Sequence, residues 1–427
     1  MISIEGGSHR LCSGVSRRDV LRIGSLGVAG FALSDLLQLK AEAASTRGKA
    51  KSIIMIHLSG GPSHVDTYDP KPDAPDEIRG EFKAISTKVP GIQIGELFPR
   101  QAAMMDQLSI IRSCHKVLPE EHASSLMTCG YSFTERRTQG EHPSIGSVLA
   151  KLRSGPEAVI PPYVSLRGMN YETGLGAGFL GPSYEALAYD GPGRDDLKLR
   201  VAANRQDGRR KMLERLNGFR QAVDTGAVQS QDVFVQRALE IVASSQTYDA
   251  LDVSKETEET RKRYGNEHFL RARRLVERGA QCVALEVGGW DTHSDNFKQL
   301  RSIMPPLDQA FTELVKDLKE RGLYDETVVV MWGEFGRTPK VNGTAGRDHW
   351  PSVMSVMLAG GGLKMGQVIG ATDPQGMYAV EQPYTVRDVV ATLYSALGIN
   401  PAMNFVDPQS RPVPLVHDAA PIPELIG

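Results

Sequence analysis

Cysteine is scarce, with four residues in a chain of 427. Cys12 lies in the N-terminal segment, and Cys114, Cys129 and Cys282 show no C-x-x-C spacing. Neither a zinc knuckle nor a disulfide framework is therefore indicated, and a single Cys114–Cys129 bridge stays open. Excess charge of either sign is lacking too: 49 Lys and Arg stand against 51 Asp and Glu, a net charge of -2. That balance gives no reason to expect nucleic acid or an anionic membrane as partner. No internal repeat, collagen-like period or low-complexity run is visible. Beyond the first 43 residues, no stretch approaches the ~20 apolar residues of a membrane span.

What is present reads as a soluble globular protein, 41% hydrophobic and 23% charged, with 43 Gly and 25 Pro that suggest many loops between short elements. The N-terminus carries Ser16-Arg17-Arg18-Asp19-Val20-Leu21-Arg22, then a mostly apolar run from Ile23 to Leu39 broken by three glycines, then Ala41-Glu42-Ala43. Twin arginines, a weakly apolar core and a small-x-small site read as a twin-arginine export signal over residues 1–43. This leaves a domain over 44–427, free of the membrane after cleavage and periplasmic or extracellular. That route carries folded proteins, often with cofactors already inserted, which mildly favours a metalloprotein.

Lys51 to Leu58 is an apolar run suited to a parallel strand buried on both faces, and it ends in Ser59-Gly60-Gly61-Pro62. Gln281 to Val287 and Thr327 to Trp332 read as further buried strands, with Ser352 to Leu358 as one more. Leu307, Phe311, Leu314, Val315 and Leu318 follow helical spacing ahead of Gly322. Thr385-Val-Arg-Asp388 predicts a capping box in front of a helix from Val386 to Leu397. Strands alternating with helices predict an α/β three-layer sandwich with a mostly parallel central sheet. Residues 165–275, Gly-rich and then charged, read as a helical insertion or cap.

In such sheets ligands bind beyond the carboxyl ends of the strands. Here Leu58 leads to Ser63, His64 and Asp66; Val287 leads to Asp291 and His293; Trp332 leads to Glu334 and Arg337, with Asp348 and His349 a short loop further on. Each piece alone has a plain reading. Asp-x-His is commonly a turn with a capping Asp, Glu334 suits the first turn of a helix, and Asp348-His349 can be a surface pair. Agreement among three strand ends favours a divalent metal centre built from carboxylates and imidazoles, for Zn, Mn, Ca or Mg. Such an ion neutralises charge on an ester's oxygens. Arg337 suits a phosphate or sulfate oxygen beside that centre, or equally a salt bridge to Asp348 or Glu334. In "EEHASSLMTCG", Ser124 at a helix start is the candidate nucleophile, with Ser125 second and His122 as ligand, base or cap.

The blocks "HLSGGPSHVDTYDPKP", "GEHPSIGS", "GGWDTH", "WGEFGRTP" and "GRDHWP" resemble the bacterial secreted family called domain of unknown function 1501. That family stands within the alkaline phosphatase and sulfatase superfamily, and the resemblance covers nearly the whole chain after residue 43. It implies an alkaline-phosphatase-like fold, one metal site holding Asp291 and His293, a carboxylate ligand at Glu334 and a further histidine at His349. It also implies hydrolysis of a phosphate or sulfate ester of a small molecule or polymer. The chain departs from the superfamily where the first strand should end in aspartate, since Asp66 is the nearest acid, and it lacks Cys-x-Pro-x-Arg. Those departures favour the alternative, a non-catalytic exported binding or structural protein with the same fold.

Overall fold

The computed structural model describes residues 48–115, 125–132, 135, 142–153, 160–166, 176–189 and 245–426. The expected signal segment, His122 and Ser124 lie outside the described residues, as do residues 167–175 and 190–244 of the expected insertion.

Nine strands form the main sheet: β1 (Ser52–His57), β2 (Leu108–His115), β3 (Tyr163–Ser165), β4 (Leu187–Ala188), β5 (Cys282–Glu286), β6 (Thr327–Trp332), β7 (Met354–Gly360), β8 (Gln367–Ile369) and β9 (Tyr384–Thr385). Their order is β8-β2-β7-β6-β1-β5-β3-β4, with β9 also paired to β2. β1 runs parallel to both its neighbours, β5 and β6, while β7 is antiparallel to β2 and β6. The sheet is thus mixed and mostly parallel, as the alternating pattern predicts.

Successive side chains on a strand face opposite sides, so a run apolar at every position feeds two cores. Ile54, Ile56, Val283, Leu285, Val329 and Met331 enter one core with helices α2 (Glu267–Glu277) and α3 (Asn296–Glu320). Ile53, Met55, Cys282, Ala284, Val328 and Val330 enter the other, with α1 (Ile145–Arg153) and α4 (Val386–Ala396). These are the three layers of the sandwich. Helix α2, in the last part of the expected insertion, buries Phe269, Leu270 and Leu275 in the first of these cores.

Local signals worked where chemistry is short-range. Thr385 Oγ1 accepts from the Asp388 N–H at 3.2 Å and Asp388 Oδ2 accepts from the Thr385 N–H at 2.8 Å, so the capping box is closed. Helix α3 starts eleven residues before Leu307 and runs straight through Pro305 and Pro306. Both prolines are exposed, and the carbonyls that lose a donor, Arg301 and Ser302, also belong to exposed residues, so water can satisfy them. Cys114 and Cys129 are buried thiols and form no bridge with each other. Among the described residues no helix is long and apolar enough to cross a membrane.

Candidate metal centre

The carboxyl ends of β1, β5 and β6 lie side by side, because β1 sits between the other two in register. Each then breaks into a glycine loop. Gly60 has a φ of 111°, and a Cβ there would stand 2.3 Å from the Asp291 nitrogen, so only glycine lets the β1 and β5 loops touch. Trp290, 1% exposed, plugs its ring into the core just before Asp291, and its backbone N–H donates to the Ser59 carbonyl at 3.2 Å. Asp291 is thereby presented beyond the carboxyl end of β5, half exposed.

The third contributor returns after β6. Gly336–Arg337 and His349–Trp350 pair as a short antiparallel ribbon, which sets His349 opposite Arg337. The intervening loop closes on the β5 loop: the Arg347 N–H donates to the Thr292 carbonyl at 3.0 Å, and Asn342 Nδ2 donates to the His293 carbonyl at 3.0 Å. A Cβ on Gly346 would stand 2.0 Å from the His293 carbonyl oxygen, so glycine is required for that closure.

Three donor atoms meet where these loops join. His293 Nε2 is 3.0 Å from Asp291 Oδ1 and 3.1 Å from His349 Nε2, and His349 Nε2 is 3.3 Å from Asp291 Oδ1. The triangle is nearly equilateral. Donors bound at about 2.0–2.1 Å to one tetrahedral ion stand roughly 3.3 Å apart, so the spacing fits a single divalent ion. Two imidazoles and a carboxylate are also a donor set that borderline ions accept, with positions left open. Among the described residues this is the one group of His, Cys, Asp and Glu with ligand atoms clustered this way.

The atoms behind the triangle prepare it. His293 Nδ1 lies 2.6 Å from Asp348 Oδ1, and Asn342 Nδ2 donates to Asp348 Oδ2 at 3.2 Å. The hydrogen bond to His293 holds the Asp348 carboxyl below its ordinary pKa. An ionised Asp348 keeps the imidazole proton on Nδ1 and turns the Nε2 lone pair toward Asp291 and His349. The His349 ring rests on Phe335 at 4.4 Å between centroids.

Arg337 is fully buried. Its Nε donates to the Gly61 carbonyl at 3.0 Å, Nη1 to the Arg347 carbonyl at 3.1 Å, and Nη2 to the Gly60 carbonyl and, at 2.6 Å, to Asp291 Oδ1. It pairs with Asp291 rather than with Asp348 or Glu334, and so touches the triangle at that carboxylate. Two carboxylates against one guanidinium leave one negative charge, which a divalent ion would invert to a positive one.

The remaining expected ligands are spent elsewhere. Glu334 is buried, with Oε1 accepting from the Gly60 N–H at 2.8 Å and Oε2 3.4 Å from His57 Nε2, and it supports the β1 loop from behind. Asp66 is buried against Arg347, with Arg347 Nε 2.7 Å from Oδ2 and Nη2 3.0 Å from Oδ1. His64 lies under the Gly376 carbonyl at 2.7 Å, and burial lowers its pKa. Ser125 opens a five-residue helix and is fully buried. Arg347, Thr292 and Asn296 carry no motif of their own in the sequence, although all three stand within a few residues of the candidate ligands.

The chain belongs to the family described as protein of unknown function (DUF1501), which it matches over residues 50–426. No curated protein matches it. Solved structures to which it is similar include a lipoteichoic acid synthase from Listeria monocytogenes, at 10% identity and a TM-score of 0.37, covering 83% of this chain and 74% of that one. A PsFucS1 sulfatase from Pseudoalteromonas sp. gives 12%, 0.38, 85% and 70%. The alkaline phosphatase of the Antarctic bacterium TAB5 gives 12%, 0.35, 77% and 96%.

Proposed function

We propose that this chain is an exported, metal-dependent hydrolase of phosphate or sulfate esters. The observation that carries the reading is the triangle of Asp291 Oδ1, His293 Nε2 and His349 Nε2, with sides of 3.0, 3.1 and 3.3 Å. A divalent ion supplies Lewis acidity toward an ester oxygen. The chain's own residues bind, orient and open the site. Asp348 fixes the His293 tautomer, Arg337 fixes Asp291, and the side chains of Asp291 and His293, 49% and 47% exposed, leave a face that an anion can approach. Ser124, ahead of the buried helix at Ser125, is the proposed attacking hydroxyl. The twin arginines at Arg17 and Arg18 support export.

One observation favours the non-catalytic alternative. The first strand ends in Ser59-Gly60-Gly61, and the nearest acid, Asp66, is buried on Arg347, so the donor set among the described residues is three side chains. Metal content after purification and turnover of aryl phosphates, phosphodiesters and aryl sulfates decide between the readings. A stoichiometric divalent ion lost on Asp291→Ala, with turnover of one class, supports the hydrolase. Bound ion without turnover supports a binding module. Protein that neither carries nor is stabilised by Zn, Mn, Ca or Mg sinks the hydrolase.

A further inference from the structure

We infer that Asp66 is a positioning residue, the shared buried anchor that sets the two ligand-bearing loops against each other. One arm runs from Asp66 Oδ2 to Asn296 Nδ2, which donates at 2.9 Å, and from Asn296 Oδ1 to the Thr292 hydroxyl, which donates at 2.6 Å. Thr292 stands between Asp291 and His293. The other arm is the two-point contact of Arg347 with both Asp66 oxygens, and Arg347 immediately precedes Asp348 and His349. A single carboxylate therefore reaches both ligand-bearing segments through one intermediary side chain each, plus one hydroxyl.

The chemistry suits an anchor. Asp66, Arg347, Thr292 and Asn296 are each at most 1% exposed, so water cannot substitute for a lost partner. The guanidinium fork fixes direction as well as distance. Arg347 spends its remaining donors on the carbonyls of Ile78, Thr338 and Pro339, which ties the anchor to the loops around the site. Three backbone bonds cross between the loops it holds: Arg347 N–H to Thr292 O at 3.0 Å, Asp295 N–H to Thr344 O at 3.1 Å, and Asn296 N–H to Ala345 O at 2.9 Å. These amides report whether the loops remain joined.

The purpose assigned to the anchor rests on the metal-centre reading, but its test does not. Amide exchange of the full chain, treated with chelator, is compared for the parent protein, Asp66→Asn, Thr292→Val and a control, Asp317→Asn. Asp317 is a buried partner of Arg273, 2.9 Å away, on helix α3. Asp66→Asn is expected to speed exchange at the Asp295, Asn296 and Arg347 amides together by about tenfold, with sheet amides and the control's loop amides unchanged. Thr292→Val, which cuts one arm and keeps the shape, is expected to speed the Asp295 and Asn296 amides while the protein stays folded. Response in one loop only after Asp66→Asn, or an equal loop response from Asp317→Asn, overturns the inference. Titration with zinc gives the second readout: weakening by about 10- to 100-fold in Asp66→Asn is expected. If the parent itself binds no ion, the proposed function falls while the exchange result still stands or falls on its own.

Discussion

His293 Nδ1 lies 2.6 Å from Asp348 Oδ1, so the ring that faces the candidate metal centre is oriented by a carboxylate behind it. Outer partners of this kind are worth about 10–100-fold in metal affinity. Asp348→Ala is expected to weaken zinc binding by that factor while the melting temperature of the metal-free protein changes little, since Asp348 is half exposed. Calorimetric titration checks it, and unchanged affinity removes Asp348 from the site.

Arg337 is expected to matter far more to stability than its partner. It is fully buried and bonded to three carbonyls, whereas Asp291 is about half exposed. Asp291→Ala should cost about 1 kcal/mol, as for a screened pair. Arg337→Met strands those carbonyls and should cost about 3 kcal/mol. Urea unfolding of the two variants measures the difference, and equal costs would contradict this account.

Gly346→Ala tests the closure of the loops by steric means alone. The added methyl would sit 2.0 Å from the His293 carbonyl oxygen, with the backbone of Ser294 2.5 Å away. The obstacle is the His293–Ser294 peptide unit, which cannot yield cheaply, so the loops must part. The expected result is a loss of about 2–4 kcal/mol and of zinc binding together. Retention of parental affinity would mean that the ligands do not depend on this junction.

Acid sensitivity is expected from a point on another part of the surface. Burial alone would raise the Glu135 carboxyl, but the Ser132 N–H and Arg387 outweigh it and lower its pKa from 4.5 to about 2. A carboxyl held below its unfolded value contributes stability in full above that value. The contribution is lost as pH falls from about 4.5 through 2. Melting curves of the parent and Glu135→Gln should therefore be furthest apart at neutral pH and converge across that window. A gap independent of pH would assign the loss to packing.

The sequence made some parts legible and hid others for a physical reason. Runs such as Ile53 to Ile56 announce a strand buried on two faces, because every position must be apolar to feed both layers. Thr385 and Asp388 announce their helix start, because the bonds span three residues. The proximity of Asp291 and His293 was foreshadowed by the glycine break that ends their strand, whereas His349 joins them only through the ribbon it forms with Arg337. The uses of Asp66 and Glu334 were not. Asp66 finds Arg347 across 281 positions, and Glu334 finds the Gly60 N–H across 274. A carboxylate near a site looks the same in sequence whether it faces an ion or a buried cation. The first eleven residues of α3 were not legible either: whether a helix tolerates Pro305 and Pro306 depends on whether the carbonyls they abandon meet water, which needs the third dimension.

One guanidinium, that of Arg337, touches the chain at Gly60, Gly61, Asp291 and Arg347. Substitutions in these segments share a single partner, so their free-energy losses will not sum. Double-mutant cycles between Gly60 or Gly61 and Asp291 should return coupling energies of about 0.5–3 kcal/mol through that shared guanidinium. Variation in this chain is therefore constrained in blocks: a change tolerated in one loop depends on which residues occupy the other two.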